Sequence, residues 1–501
     1  MLMTHWLEKR AALTPDRIAM ISGGERLTFG ELRERALALA QRLRSLGIEK
    51  GERVGFLCRN GIHVAELIHA VHYTGAVLVP LNTRLTAHEL AYQVGDCSCR
   101  HVLYDEANRQ LAGELTGQLP GLSVRTMAEL AEVPPSDKPL LTTIDSEDVN
   151  TIMYTSGTTG RPKGVMLTYG NHWASAIGSA LNLGVSGDDL WLAAVPMFHI
   201  SGLSIVMRSV IYGMPMMIHE KFDEQAVNSA IMEQRVTIVS VVSNMLARML
   251  DRLGEGRYPA SFRCMLLGGG PAPLPLLQAC ADKGIPIYQT YGMTETASQI
   301  VTLPPEYMLT KLGSAGKPLF QSEIRIMNGQ TPAAPGEPGE IQVRGPNVTS
   351  GYWNRPEATA EALRDGWLVT GDIGYLDEEG FLYVLDRRSD LIISGGENVY
   401  PAEIEAVLIG HPAVAEAGVA GIADERWGQV PVAYVKLAEG EAVTEEELRD
   451  YCRTRLARYK LPARIRFVEA LPRNAAGKLL RRELPKLQGT EGSEGSDEGS
   501  V

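Results

Sequence analysis

The chain has 501 residues, 45% of them hydrophobic and 22% charged, which at roughly 150 residues per domain gives two to four globular domains with ample core. The net charge is −12, of which four acids in the last thirteen residues (Glu491, Glu494, Asp497, Glu498) supply a third, and no basic footprint points to nucleic acid or an anionic lipid surface. The six cysteines, Cys58, Cys97, Cys99, Cys264, Cys280 and Cys452, are too scattered for a disulfide framework, and their one close pair is C-x-C, so a reducing cytoplasm is expected and a zinc site is not.

The first residues mix Glu8 with Lys9 and Arg10 and lack the apolar centre and cleavage site of a signal peptide. Strands at 54–58, 76–81 and 101–104 then alternate with helices at 62–73 and 87–94, the rhythm of a parallel sheet covered by helices. After an acidic, proline-rich connector at 132–148 the rhythm resumes, with strands at 151–155, 190–195, 216–219, 237–242, 264–267 and 286–289. The uncharged stretch 190–207 approaches the length of a membrane span, but Pro196, His199, Ser201, Gly202 and Ser204 interrupt it, and a buried strand-loop-helix unit is expected. From Gly313 short strands (324–326, 339–343, 367–369, 381–384) and Gly/Pro turns predict a small antiparallel or barrel-like subdomain. Beyond Asp386, helices at 401–409 and 445–457 with strands at 413–419, 432–437 and 464–467 predict a separate α+β domain. The fold class is therefore α/β. A large N-terminal domain of two sheet layers plus the small β subdomain occupies 1–385, a smaller C-terminal α+β domain occupies 386–488, and an acidic Gly/Ser tail, 489–501, is expected to be disordered.

The densest chemical signal is Thr155-Ser156-Gly157-Thr158-Thr159-Gly160-Arg161-Pro162-Lys163-Gly164, which follows a predicted strand and offers hydroxyl, backbone N–H and ammonium donors for phosphate oxygens. It is not a Walker A loop, because G-x-x-x-x-G-K-[ST] finds no register in it. Taken whole, this string resembles the phosphate loop of the acyl-adenylate-forming superfamily, which holds acyl-CoA synthetases, luciferases and peptide-synthetase adenylation domains. Gly268-Gly269-Gly270, Tyr291-Gly292-Met293-Thr294-Glu295, Thr370-Gly371-Asp372, Asp386-Arg387 and the stretch ending at Lys478 match the superfamily's other motifs in order. Within it, residues 198–204, 289–299 and 311–318 resemble the o-succinylbenzoate-CoA ligase family of menaquinone biosynthesis.

Activating a carboxylate at the α-phosphate of ATP brings anions together, so the site must neutralise charge and let pyrophosphate leave. Lys163 and the hydroxyls of Thr155, Ser156, Thr158 and Thr159 suit the β- and γ-phosphates, and Glu295 suits a magnesium ion, which prefers carboxylate ligands. Tyr291 offers a ring face to adenine, and Gly269 with Gly270 lets the backbone approach the base edge, with Gly268 beside them in the nucleotide site; Asp372 can accept ribose hydroxyls, and Arg387 can reach ribose or phosphate. The resemblance further implies that Gly157, Gly160, Gly292 and Thr294 belong to the nucleotide site and that Lys478 catalyses adenylation. It also implies that His199, at a strand end, gates the acyl pocket and thiol channel, that Gly395 and Gly396 present a turn to coenzyme A, and that the C-terminal domain is a mobile lid hinged at Asp386.

His199, Ser201, Ser243, Thr294 and Gln299 interrupt apolar segments and make the expected acyl pocket polar. The implied partners are small molecules only, namely o-succinylbenzoate, ATP with Mg2+, and coenzyme A, with no nucleic acid, no membrane insertion and a homo-oligomer left open. Another aryl- or fatty-acyl-CoA ligase would differ in lacking a donor for a second carboxylate and a ketone. A peptide-synthetase adenylation domain would need an aspartate for the substrate ammonium near 198–204, and a non-catalytic nucleotide-binding protein would be expected to lack Glu295 or Lys478.

Overall fold

The computed structural model describes residues 1–155, 161–269, 272, 274–386, 390, 392–472, 479 and 481–487. The chain separates into two compact units: Met1–Thr83, Leu90–Thr155 and Lys163–Asp386 form the first, and Arg84–Glu89, Ser156–Pro162 and Arg387–Val501 the second.

The first unit holds two large sheets. One runs in the spatial order Gly351–Tyr352, Lys163–Thr168, Val149–Thr155, Val77–Pro80, Arg53–Leu57, His101–Tyr104, Ser123–Thr126, and its last four strands are parallel. Val54, Phe56, Leu78 and Leu103 are buried, as befits strands covered by helices on both faces. The helix Phe29–Ser45, which packs against the helix Ile62–Thr74, is fixed at its start by Thr28 and Glu31, each of whose side chains bonds the other's backbone N–H. Its Leu32, Ala36, Ala40 and Leu43 fall on one face at helical spacing and are fully buried.

The second sheet has a parallel centre in which Ile18–Ser22, Met216–Ile218, Trp191–Ala193, Ile238–Val242, Cys264–Gly268 and Ile287–Met293 lie side by side. The short strands after Gly313 are antiparallel, as their turns predict, and run on from this sheet through Ser314–Pro318, which pairs with both Ser298–Leu303 and Leu382–Asp386. The stretch 190–207 is a strand, a loop and the start of the helix Ile200–Tyr212. Among the described residues no helix is long and apolar enough to cross a membrane.

In the second unit the strands Glu397–Val399, Ile392–Ser394, Gly428–Leu437 and Val414–Asp424 are antiparallel neighbours, with Arg464–Phe467 added in parallel to Gly428–Leu437. The helices Pro401–Ile409 and Glu445–Arg453 bury Ile404, Leu408, Leu448 and Cys452 with Val419 and Val435. The second helix is shorter than the expected 445–457. The N–H groups of Arg455 and Leu456 both turn back to the Cys452 carbonyl, at 2.9 and 2.8 Å, and Ala457 is already extended.

Candidate active site

The parallel centre of the second sheet explains why distant motifs converge. Val242 pairs with Gly268, and Leu267 with Gln289, so the carboxyl ends of three adjacent strands deliver Ser243, Gly268 with Gly269, and Tyr291 to one edge. Open α/β sheets bind ligands at this edge. A Cβ on Gly268 would lie 3.2 Å from Thr290 Cγ2 and one on Gly269 3.0 Å from Val242 Cγ1, which shows how closely these ends pack.

Lys163 is the first residue of a strand antiparallel to Val149–Thr155 and stands opposite Thr155, so the motif's lysine lies at a strand start. Ser156, Gly157, Thr158, Thr159 and Gly160 lie outside the described residues. The strand Gly351–Tyr352 pairs with Lys163–Thr168 and places Tyr352 under the Lys163 ammonium, 5.2 Å from Nζ to ring centroid. The same tyrosine donates its hydroxyl to Glu295 Oε1 at 3.0 Å. Tyr352 thus joins the ammonium and the carboxylate that the sequence assigns to phosphate and magnesium. Sequence reasoning missed it, since nothing in Gly351-Tyr352-Trp353 marks a ligand site.

Glu295 lies in the single turn Thr294–Thr296, and its backbone carbonyl accepts from Thr349 N at 2.7 Å. One carboxylate suits magnesium in a nucleotide site, where the metal keeps water and takes its remaining ligands from phosphates. Among the described residues there is no cluster of three His, Cys, Asp or Glu side chains able to hold a metal by themselves. Gly292 lies within the strand Ile287–Met293, two residues before Thr294.

Tyr291 and Asp372 meet directly. The tyrosine hydroxyl donates to Asp372 Oδ2 at 2.6 Å, and both residues are buried, at 7% and 5% exposure. Asp372 belongs to the strand Trp367–Leu376, and its N–H donates to Thr370 Oγ1. A buried carboxylate has several lone pairs for hydroxyl donors, the chemistry a ribose diol requires.

His199 sits at the N-cap of the helix Ile200–Tyr212, and the expected strand end lies farther back, at Ala193. The six residues between form a loop that Pro196, lacking an N–H, keeps out of the sheet. The His199 ring meets Phe198 edge-on at 4.7 Å. Of the other expected pocket residues, Ser201 is exposed on the same helix, Ser243 opens the helix Ser243–Leu253, and Thr294 adjoins Glu295. Gln299 is 3% exposed, and neither its Nε2 nor its Oε1 has a hydrogen-bond partner.

Arg208, which the sequence analysis passed over, lies on the face of the helix that carries Ser201 and Ser204 at helical spacing. It is 2% exposed, its Nη2 reaches Ser175 Oγ at only 3.4 Å, and its Nε has no partner. The guanidinium stacks over Trp191 at 5.4 Å, and burial lowers its pKa. Ser175 Oγ in turn donates to Ala297 O at 2.6 Å, two residues from Gln299. His172 stands on the same helix as Ser175; burial and then the Arg208 charge push its imidazole down to about 3, and its Nε2 is also unpartnered. A buried cation with no carboxylate among the described residues is costly and invites an anion from outside the chain.

In the second unit Gly395 and Gly396 form the two-residue turn of a hairpin between Ile392–Ser394 and Glu397–Val399, with φ of +58° and +85°. Two positive φ values in succession favour glycine at both positions. Gly395 N donates to Trp427 O at 2.9 Å, and a Cβ on Gly395 would fall 2.7 Å from the Trp427 ring, which is 44% exposed beside the turn. Trp427 is a third residue the sequence reading missed; a tryptophan between charged Arg426 and Gly428 was its only signal. Asp386 ends the strand Leu382–Asp386 opposite Ile373. Gly270, Arg387, Lys478 and the tail 489–501 lie outside the described residues.

The chain belongs to the AMP-binding enzyme family, whose model matches residues 7–353, while the AMP-binding enzyme C-terminal domain matches residues 403–478. This establishes the superfamily that the motifs resemble. Within it, the chain is 62% identical to the 2-succinylbenzoate–CoA ligase of Geobacillus kaustophilus (strain HTA426), over 97% of this chain and 98% of that relative. A double mutant of the o-succinylbenzoate CoA synthetase of Bacillus subtilis, bound with a product analogue, superposes with a TM-score of 0.93 at 47% identity, covering 98% and 99% of the two chains. The Bacillus subtilis enzyme in complex with ATP and magnesium ion gives a TM-score of 0.76 at 48% identity, covering 97% and 100%.

Proposed function

We propose that this protein is an ATP-dependent, AMP-forming 2-succinylbenzoate–CoA ligase working in the cytoplasm. In the first half-reaction one carboxylate of 2-succinylbenzoate attacks the α-phosphate of ATP, giving the acyl-adenylate and pyrophosphate. In the second, the thiol of coenzyme A attacks the acyl carbonyl and AMP leaves. Lys163 and Thr155 hold the outgoing phosphates, Asp372 oriented by Tyr291 holds the ribose, and Lys478 steadies the charge at the α-phosphate. Glu295 is the residue that would hold magnesium, which neutralises phosphate charge when bound.

The observation that supports this acid over a fatty or simple aromatic one is the buried Arg208, whose charge acts on the buried His172 and whose partner Ser175 bonds Ala297, two residues from the buried Gln299. A hydrocarbon chain has no use for an unpaired cation, whereas the second carboxylate and ketone of 2-succinylbenzoate would satisfy these donors. Pyrophosphate release with 2-succinylbenzoate, benzoate, succinate and hexanoate is the direct test. A site built for the polar groups should favour 2-succinylbenzoate by about 10⁴ in kcat/KM, and a preference within about tenfold would refute the assignment. Arg208→Met keeps the stem and removes the cation. It is expected to lower kcat/KM for 2-succinylbenzoate by about 10² while leaving the slow reaction with benzoate unchanged.

Trp427 gives the second half-reaction a surface of its own. Its exposed indole beside the Gly395 turn suits the apolar and π faces of coenzyme A. Trp427→Ala should raise KM for coenzyme A by about tenfold, the loss of roughly one aromatic contact. Adenylate formation should stay within about twofold of wild type; an equal loss in both half-reactions would remove Trp427 from the coenzyme A surface.

A further inference from the structure

The loop bearing Phe198 and His199 leaves the second sheet after Trp191–Ala193, yet its position is set from the first sheet. Asn60 stands between the strand Arg53–Leu57 of that first sheet and the helix Ile62–Thr74. Its Nδ2 donates to Val195 O at 2.9 Å and to His219 O at 3.2 Å, and its Oδ1 accepts from Met197 N at 2.8 Å. The side chain is 7% exposed, and only an amide could make this set, two donations to carbonyls and one acceptance from an N–H on so short a stem.

The three bonds grip the loop on both sides of Pro196 and tie it to the residue after the strand Met216–Ile218. Below the grip the loop is already rigid. His199 N donates to Pro196 O at 3.2 Å, Gly202 N to His199 O at 3.0 Å, and a Cβ on Gly202 would meet Pro196 O at 2.2 Å. A shift of Val195 and Met197 would therefore be passed to His199 rather than absorbed.

We propose that Asn60 is a positioning residue for His199, holding the imidazole at the acyl pocket by stitching the two sheets together at that loop. The inference rests on the ligase reading above and on His199 as the gate of the acyl pocket. It makes the acid-handling part of the site depend on an amide that touches neither nucleotide nor acid.

The test is steady-state kinetics of the full chain carrying Asn60→Asp, Asn60→Ala, His199→Ala and the double substitution Asn60→Ala/His199→Ala, with a thermal melt of each. Asn60→Asp keeps the shape and the acceptor but turns a carboxylate oxygen toward two carbonyls, and it serves if Asn60→Ala does not fold. Each Asn60 variant is expected to lose about 10- to 100-fold in kcat/KM for 2-succinylbenzoate, as misplacement of a reacting group costs, while KM for ATP stays within about twofold. In the His199→Ala background Asn60→Ala should cost no more than about threefold, because the group it positions is gone. An undiminished Asn60 effect in that background, or equal losses in the ATP and acid parameters with a lowered melting temperature, would overturn the proposal and leave Asn60 a purely structural amide. Wild-type kinetics for His199→Ala would instead bring down the reading of His199 itself, and this proposal with it.

Discussion

Lys478→Ala is expected to slow pyrophosphate release by about 10³, the cost of removing one aimed charge from a transition state that gathers negative charge at the α-phosphate. The same variant should convert supplied acyl-adenylate to the CoA thioester at near the wild-type rate. In that step the acyl group is already activated and the leaving group is AMP, so an ammonium aimed at the incoming carboxylate has nothing to do. In the sequence Lys478 follows Asn474-Ala475-Ala476-Gly477, and lysine is a compact charge on a long flexible stem. Separate assays of the two half-reactions decide the matter. Comparable losses in both would mean that Lys478 serves a shared step or the integrity of its domain, and its assignment to adenylation would fall.

Glu295→Gln should lower the adenylation rate by about 10² to 10³, and the deficit should shrink as magnesium is raised. The substitution preserves the shape of a residue whose Oε1 accepts the Tyr352 hydroxyl at 3.0 Å, so the turn Thr294–Thr296 has no steric reason to move. What changes is charge, and a hard cation selects a carboxylate over an amide for that reason. Tyr352 would keep its acceptor in the amide oxygen and its place beneath Lys163, so the phosphate side of the site should survive. A titration of adenylation against magnesium gives the result directly, and a magnesium dependence identical to wild type would take Glu295 out of the metal site.

The parts of the fold that sequence could reach are those set by local pattern. The strands His101–Tyr104 and Arg464–Phe467 and the helix Pro401–Ile409 keep the bounds that their local residue patterns predict. Lys163 behaves otherwise: the Gly-Arg-Pro before it reads as loop, and only pairing with Thr155 makes it the start of a strand. His199 follows the same rule, since an apolar run from Leu190 hides the point at which the strand stops and a loop begins. In the candidate site, the motif residues stand out in the sequence because their chemistry is written in unusual local strings. Tyr352, Arg208, Trp427 and Asn60 could not be, because each is an ordinary residue made special by a partner far along the chain. Arg208 reads as one more charge on a helix until its burial, with no carboxylate partner among the described residues, is seen.

The strand Ile18–Ser22 lies beside Met216–Ile218, and Ser22 Oγ donates to Ile218 O across 196 positions of sequence. Arg10 and Arg17 likewise end on the carbonyls of Val210, Ile211 and Gly213. On a ribosome adding about 5 to 20 residues per second, this first strand exists for roughly 10 to 40 s before the partner it needs has been made. Throughout that interval the outer edge of Ile18–Ser22, in the hairpin it forms with Glu25–Thr28, turns backbone donors and acceptors to water, an edge to which any other nascent chain could add. How long this edge stands open is therefore written into the order of the strands, and the interval ends before the residues of the active site beyond Ile218 have been synthesised.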